Sequence, residues 1–350
     1  MSSVDMNKSI AVLGTGANGG SAAADLINAG YDVTLIDQWP EHVEAMRANG
    51  LTIQLPDDEL HVEVAAHHLC EVCELNRIFD YVLLMAKAYD TGWLARLIEP
   101  YLAKDGLMVG IQNAMTAHEI AEIVGPDRTV GCVIELSAEM YTPGVVQRNT
   151  PPAKSWLGIG ALGGSMAARL PEVETILSNV GRVSITPDII AAKWMKLVVN
   201  SMSLGPVAML GATPYEAAQN PIARPLLLAA GAEALAVGQA RGYTIQPIFG
   251  LAAEDIENTN RLLEKLLDKL TNDIGPTAKD CVLQDHMKGR YSEVDLINGL
   301  VARESERNGK PAPANAAVTA ITQRIRDGEL EPNPSNLELA LELLNAPAAE

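Results

Sequence analysis

The chain has 350 residues, 48% hydrophobic but only 4% aromatic and 20% charged, with a formal net charge of −18. That length exceeds one ordinary core and predicts two domains, and the apolar content is too high for a disordered chain. The negative balance argues against nucleic acid and anionic membranes as partners, so an anionic substrate would need a local basic residue to hold it.

Met1 to Lys8 is short and polar, without the apolar core of a signal peptide, which predicts a cytoplasmic protein. Ser9 to Leu13 is an apolar run stopped by glycines and reads as a buried parallel strand. Asn18 to Ala29 has helical spacing and is closed by Gly30. Tyr31 to Ile36 is a second strand, and Pro40 opens a helix that ends before Gly50. Leu51 to Leu55 and Leu60 to Ala66 read as two strands around the turn Pro56-Asp57-Asp58. His67, His68, Cys70 and Cys73 follow, and a Cys-x-x-Cys beside two histidines raises a metal site. No second pair stands at finger spacing, so no metal is expected and the segment reads as half-buried. The four cysteines make no disulfide framework for a chain this long.

Asp80 to Ala86 is the next buried strand, followed by a helix and the strand Leu107 to Ile111. This alternation predicts a doubly wound parallel sheet, extended by Thr129 to Leu136, Val145 to Gln147 and Ser155 to Ile159. A helix near Met166 to Asn179 and the strand Val183 to Ile185 complete it. Beyond Thr186 the pattern is helical almost throughout, punctuated by glycine and proline, to a frayed tail from Asn345. Residues 1–186 are thus expected to form a Rossmann domain, and 187–350 a helical substrate-binding and dimerisation domain. Glu233 interrupts the apolar run Leu226 to Val237, so no membrane span is expected.

Gly14-Thr15-Gly16-Ala17-Asn18-Gly19 fits Gly-x-Gly-x-x-Gly between a strand and a helix. The first glycine permits the turn, the second lets backbone approach a pyrophosphate, and the third lets helix pack on strand. The helix N-terminus then offers free N–H groups to phosphates. Asp37 ends the second strand, where an acidic residue accepts from ribose hydroxyls and repels a 2′-phosphate, which favours NAD over NADP. An aspartate opening the turn before Gln38-Trp39-Pro40 is the plainer alternative. No arginine follows Asp37 until Arg47.

Hydride transfer to a carbonyl needs a proton donor. The histidines offer none: His42, His61, His67, His68 and His118 fall in contexts typical of surfaces, and His286 neighbours Lys288 and Arg290 on a face that reads as solvated. Lys196 is the better candidate. It lies in the apolar helix Lys193-Trp194-Met195-Lys196-Leu197-Val198-Val199-Asn200 and shares a face with Asn200. A lysine desolvated there holds its proton less tightly, whereas a snorkelling lysine would be ordinary on such a helix.

These segments, taken in order with Met85 to Asp90, Gln112-Asn113-Ala114-Met115, Pro143 to Val146, Leu283-Gln284-Asp285 through Gly289-Arg290 to Glu293, Asp295 and Ile297-Asn298-Gly299, and Pro311 to Asn315, resemble the ketopantoate reductase family nearly end to end. The resemblance implies a Rossmann domain with an all-helical second domain, like 6-phosphogluconate dehydrogenase, and a dehydrogenase or reductase of CH–OH groups. It makes Lys196 the general acid or base, sets Asn113 near the nicotinamide and Lys87 beside the cofactor, and gives Asn200 a substrate hydrogen bond. Glu293 would contact the substrate or the lysine; alternatively, Ser292 and Asp295 form a capping box around it.

Three positions depart from the family pattern. Leu204 stands where an asparagine is usual, Cys281 where a carboxylate-binding serine is usual, and Asp37 where an NADP-selecting arginine is usual. Glu135 and Glu139 would serve either as extra acceptors or as a solvent-facing alternation. The expected reaction is reversible hydride transfer between NAD and a branched 2-oxo or 2-hydroxy acid. A sugar-derived acid or alcohol is the second candidate substrate, and a non-catalytic dinucleotide sensor the candidate outside enzymes. A homodimer is expected.

Overall fold

The computed structural model describes residues 8–252, 254 and 261–345. The expectations for the first seven residues, the last five and the helical stretch between 252 and 261 lie outside the described residues, apart from 254. The chain divides into two compact units, Met1–Lys193 and Trp194–Glu350. No helix among the described residues is long and apolar enough to cross a membrane.

The first unit runs β1 (Ser9–Leu13), α1 (Ala17–Asn28), β2 (Asp32–Asp37), α2 (Pro40–Asn49), β3 (Leu51–Gln54), β4 (Glu59–Val62), β5 (Ala65–His68), β6 (Phe79–Leu84), α3 (Thr91–Ile98), β7 (Leu102–Gly110), α4 (Ala117–Val124), β8 (Thr129–Glu135), β9 (Ala138–Thr142), β10 (Val145–Arg148), β11 (Trp156–Ala161), α5 (Leu170–Leu177) and β12 (Arg182–Ile185). Eight strands form the main sheet in the order β12-β11-β8-β7-β6-β1-β2-β5. The strand period of two sends Ile10 and Val12 of β1 into the core on one face and Ala11 and Leu13 into the core on the other, as a sheet covered on both sides requires.

Two expectations need correction. The sheet is parallel except where β11 pairs antiparallel with β8, so it is mixed rather than wholly parallel. Val145–Arg148 does not extend it. It joins a separate four-stranded sheet, β4-β3-β10-β9, and the predicted strand Leu60 to Ala66 is likewise divided, β4 going to the small sheet and β5 to the large one. The small sheet packs on α1. Arg148, 1% exposed, fastens it: the guanidinium pairs with Asp25 of α1 at 2.5 Å and donates to Thr150 O, Val180 O and Ser155 Oγ. A buried charge is tolerable when it is paired and hydrogen-bonded in this way.

One helix, α6 (Ile189–Ser203), begins in the first unit and ends in the second. Asp188 caps it by accepting from the Ala191 N–H at 2.9 Å. The second unit continues with α7 (Gly205–Leu210), α8 (Pro214–Gln219), α9 (Ala223–Ala240), α10 (Leu262–Ile274), α11 (Cys281–Met287), α12 (Asn298–Arg307), α13 (Pro313–Arg326) and α14 (Asn336–Asn345). Helix α13 packs against α7, α9, α12 and α14. Its N-terminus is capped from α9: Glu233 accepts from the Ala314 and Asn315 N–H groups at 2.9 Å each. Asn315 also donates to Ala230 O, and Asn298 donates to Ser201 O and to Asn315 Oδ1. Close approach is required at Gly238, where a Cβ would overlap the indole of Trp194; that indole donates to Ala234 O at 2.9 Å.

Candidate active site

In the first unit the loop between β1 and α1 has the geometry its three glycines predict. Gly14 has φ +91°, and a Cβ there would lie 2.5 Å from Ala86 N. A Cβ on Gly19 would overlap the Gly14 carbonyl. On Gly16 it would meet nothing within 4 Å. Gly16 is also the N-cap of α1, which carries no side-chain cap and no acidic residue in its first turn. The helix thus presents unneutralised N–H groups beside open space, a fit for the pyrophosphate of a dinucleotide.

Asp37 ends β2, buried, and is occupied more fully than its sequence position suggests. Its Oδ2 accepts from Thr15 N at 2.6 Å and Thr15 Oγ1 at 3.1 Å, and Oδ1 accepts from Trp39 N at 2.8 Å. It is a loop anchor: Oδ2 is filled by its two Thr15 donors, and Oδ1, with one donor, retains lone-pair capacity for a ribose hydroxyl. Arg47 is committed elsewhere, to Ala66 O and the carboxylates of Glu44 and Glu71.

The turn after β7 carries Asn113, half-buried, beside Ala114 at φ +60°. An alanine held in the left-handed region costs about 1 kcal/mol. Gln112 donates to Thr91 Oγ1 at 2.9 Å and to the carbonyls of Ala86 and Lys87, tying this turn to the loop after β6. Lys193, only 2% exposed, donates to Gln112 O at 2.8 Å and Cys132 O at 3.2 Å. Among the described residues Gln112 Oε1 and Thr116 Oγ1 are buried without a hydrogen-bond partner, two polar atoms flanking Asn113. Such orphans suit a polar ligand group such as a nicotinamide carboxamide. Glu135 and Glu139 are buried, not solvent-facing as one reading allowed, and Glu139 accepts from Asn149 Nδ2.

In the second unit α6 carries Lys196 and, one turn on, the buried Asn200. The Lys196 ammonium lies 4.7 Å from the centroid of the Phe249 ring, and Phe249 is itself buried with φ +60°. A cation over a ring face is held there by the ring quadrupole. Leu204 and Cys281 pack against one small apolar cluster of Ala208, Val282, Leu283 and Val294. Glu293 is buried before the single turn Val294–Leu296. The capping-box alternative fails, because the Asp295 carboxylate is taken by Tyr291, Gln323 and Arg326.

The histidine reading needs correction at two positions. His42 is fully buried, and both ring nitrogens of His286 are enclosed, with burial pushing its imidazole down to about 4. Cys70 and Cys73 are themselves exposed, on a segment that is half-buried as expected, with Val72 buried between them. Among the described residues no group of three or more His, Cys, Asp or Glu is arranged to hold a metal. Sequence reasoning missed His42, Lys193 and Phe249. The spacing of His42 with Val43 and Met46 on the buried face of α2 was the available signal for the first.

A family model described as "Ketopantoate reductase PanE/ApbA" matches residues 10–160, and one described as "Ketopantoate reductase PanE/ApbA C terminal" matches residues 188–326. The chain is 28% identical over 333 residues to the 2-dehydropantoate 2-reductase of Caulobacter vibrioides, covering 89% of this chain and 97% of that protein. It is 27% identical over 339 residues to that of Mesorhizobium japonicum, covering 90% and 97%. A PanE/ApbA family ketopantoate reductase from Ralstonia eutropha superposes with a TM-score of 0.74 at 25% identity, over 92% of this chain and 99% of the other. D-mandelate dehydrogenase, solved with NADH and anilino(oxo)acetate, shares the fold at a TM-score of 0.79 and 20% identity, over 91% and 99%.

Proposed function

This chain belongs to the ketopantoate reductase family and is a nicotinamide-linked oxidoreductase of CH–OH groups, and we propose that it moves hydride reversibly between NAD and a small, branched 2-oxo or 2-hydroxy acid. The observation that carries the cofactor reading is the glycine loop, with open space over Gly16 at an uncapped helix start. Gly14 to Gly19 would hold the pyrophosphate, Asp37 the adenosine ribose, and Asn113 with Lys87 the nicotinamide side. Preference for NAD rests on the Asp37 carboxylate, since a 2′-phosphate beside it would meet like charge. When bound, the dinucleotide supplies or accepts the hydride.

Lys196 delivers a proton to the carbonyl oxygen during reduction and removes it during oxidation. Phe249 holds the ammonium, and the buried Asn200 and Glu293 orient the acid and its oxygen atoms. Leu204 and Cys281, sharing one apolar cluster, favour a hydrocarbon substituent over hydroxyl groups in the substrate. That weighs against a sugar acid.

The test is NADH formation by absorbance with NAD or NADP, across branched and aryl 2-hydroxy acids and sugar acids. Turnover with NAD on an apolar 2-hydroxy acid, lost by at least about a hundred-fold in Lys196→Ala, is the expected result. Equal rates with NADP would refute the role of Asp37. Undiminished turnover in Lys196→Ala would remove the lysine from the mechanism.

A further inference from the structure

His42 enters α2 at its third residue and shares the helix's buried face with Val43 and Met46. It is the polar member of that face, and both of its ring nitrogens are used. Nε2 lies 2.9 Å from Thr15 O, and Nδ1 lies 2.9 Å from Gly144 N. A main-chain N–H can only donate, so Nδ1 is the acceptor and carries no proton; Nε2 therefore bears the proton and donates to the Thr15 carbonyl. The partners leave one neutral tautomer. Thr15 is then held at every polar atom, its N–H and hydroxyl by Asp37 and its carbonyl by His42.

Gly144 forms the turn between β9 and β10 with φ +77°, and its own carbonyl accepts from Thr52 N of β3 at 3.0 Å. The imidazole is therefore a strut from the small sheet to the loop that precedes α1. We propose that His42 is a positioning residue for dinucleotide binding: through its Nε2–H it sets the Thr15 carbonyl, and with it the direction of the N–H groups at the start of α1, before any ligand arrives. Preorganisation of this kind lowers the ordering cost of binding. The inference gives the small sheet a task, as the buttress from which the cofactor loop is held. It rests on the reading of Gly14 to Gly19 as the dinucleotide loop.

Three substitutions separate the two ends of the strut. His42→Gln keeps a donor where Nε2 stands, His42→Asn keeps an acceptor where Nδ1 stands, and His42→Leu keeps neither. NADH affinity, read by quenching of tryptophan fluorescence, should weaken about ten-fold in His42→Asn and His42→Leu and less than about three-fold in His42→Gln. The kinetic loss should fall on KM for NAD rather than on kcat. A purely structural histidine would lower the melting temperature of all three variants and leave their affinities alike, which would overturn the proposal. Nitrogen NMR of the wild-type imidazole provides a test that does not depend on the variants folding. A pyrrole-type Nε2 and a pyridine-type Nδ1 are expected, and the opposite tautomer or an imidazolium at neutral pH would overturn it. Failure of the wild-type protein to bind any nicotinamide dinucleotide would sink the functional reading itself, a result distinguishable from unchanged affinity in the variants.

Discussion

Replacing Lys193 with methionine keeps most of the side chain's volume and removes its ammonium, which is buried and donates to the carbonyls of Gln112 and Cys132 at 2.8 and 3.2 Å. A hydrogen bond to a charged group contributes about 1.5–3 kcal/mol, and the longer bond belongs at the bottom of that range. Against this stands the ammonium's desolvation cost of several kcal/mol, which the variant recovers. Because two main-chain carbonyls are left in an interior where water does not reach them, loss should win, by about 3 kcal/mol net. For a unit of this size that lowers the melting temperature by about 6–12 °C. Scanning calorimetry is the suitable assay, since the two units need not melt together and only the transition of the first should move. Lys104→Met, at an exposed position, is the control and should shift by less than about 0.5 kcal/mol. A Lys193→Met protein melting with the wild type, or above it, would show that desolvation outweighs the bonds and that Lys193 does not anchor the turn before Asn113.

Gly238→Ala gains about 1 kcal/mol of helix propensity but drives a Cβ into Trp194 and breaks its bond to Ala234 O, so a net loss of about 1–3 kcal/mol is expected. The urea midpoint followed by tryptophan fluorescence measures it, and an unchanged midpoint would contradict the packing described. His286 stays neutral in the fold down to about pH 4 although the unfolded chain protonates near its usual 6.5. Its contribution is therefore fully present above pH 6.5 and is lost as pH falls towards 4, by up to about 1 kcal/mol per pH unit after allowing for partial exposure. His286→Leu should flatten that slope in melts between pH 7 and 4.5 (roughly the unfolded-state titration window); parallel curves would refute the assignment. Burial pushes the Cys132 thiol up to about 12, whereas Cys70 and Cys73 are exposed. A thiol reagent should modify the exposed pair in the native protein and Cys132 only on unfolding, as peptide mapping would reveal.

The Rossmann half was legible because its signals are local. Glycines with positive φ end α1 and α2 where Gly30 and Gly50 predict, and in the cofactor loop Gly14 and Gly19 have steric reasons visible in the motif while Gly16 leaves open space. Partnership between strands is not local. Val145–Arg148 reads as a strand from its own residues, but only tertiary structure pairs it with Leu51–Gln54 and Ala138–Thr142. For the same reason Lys196 and Asn200 could be read from one helix face, while Phe249 arrives from a distant loop. Leu204 and Cys281 were each visible as a lost polar group; that they share an apolar cluster was not. Asp37 was recognised for a ligand it would bind, and its second task, holding Thr15, leaves no mark in the motif.

Helix α13 depends for its first turn on Glu233, 81 and 82 residues earlier in the chain. In a chain made from its N-terminus, α9 emerges first and carries its carboxylate as a waiting cap, so the later helix can close on contact. A circular permutant that delivered Pro313–Arg326 before Ala223–Ala240 would invert that order. The same native bonds would be available to it, but α13 would have to wait, frayed at its start, for the partner that completes it.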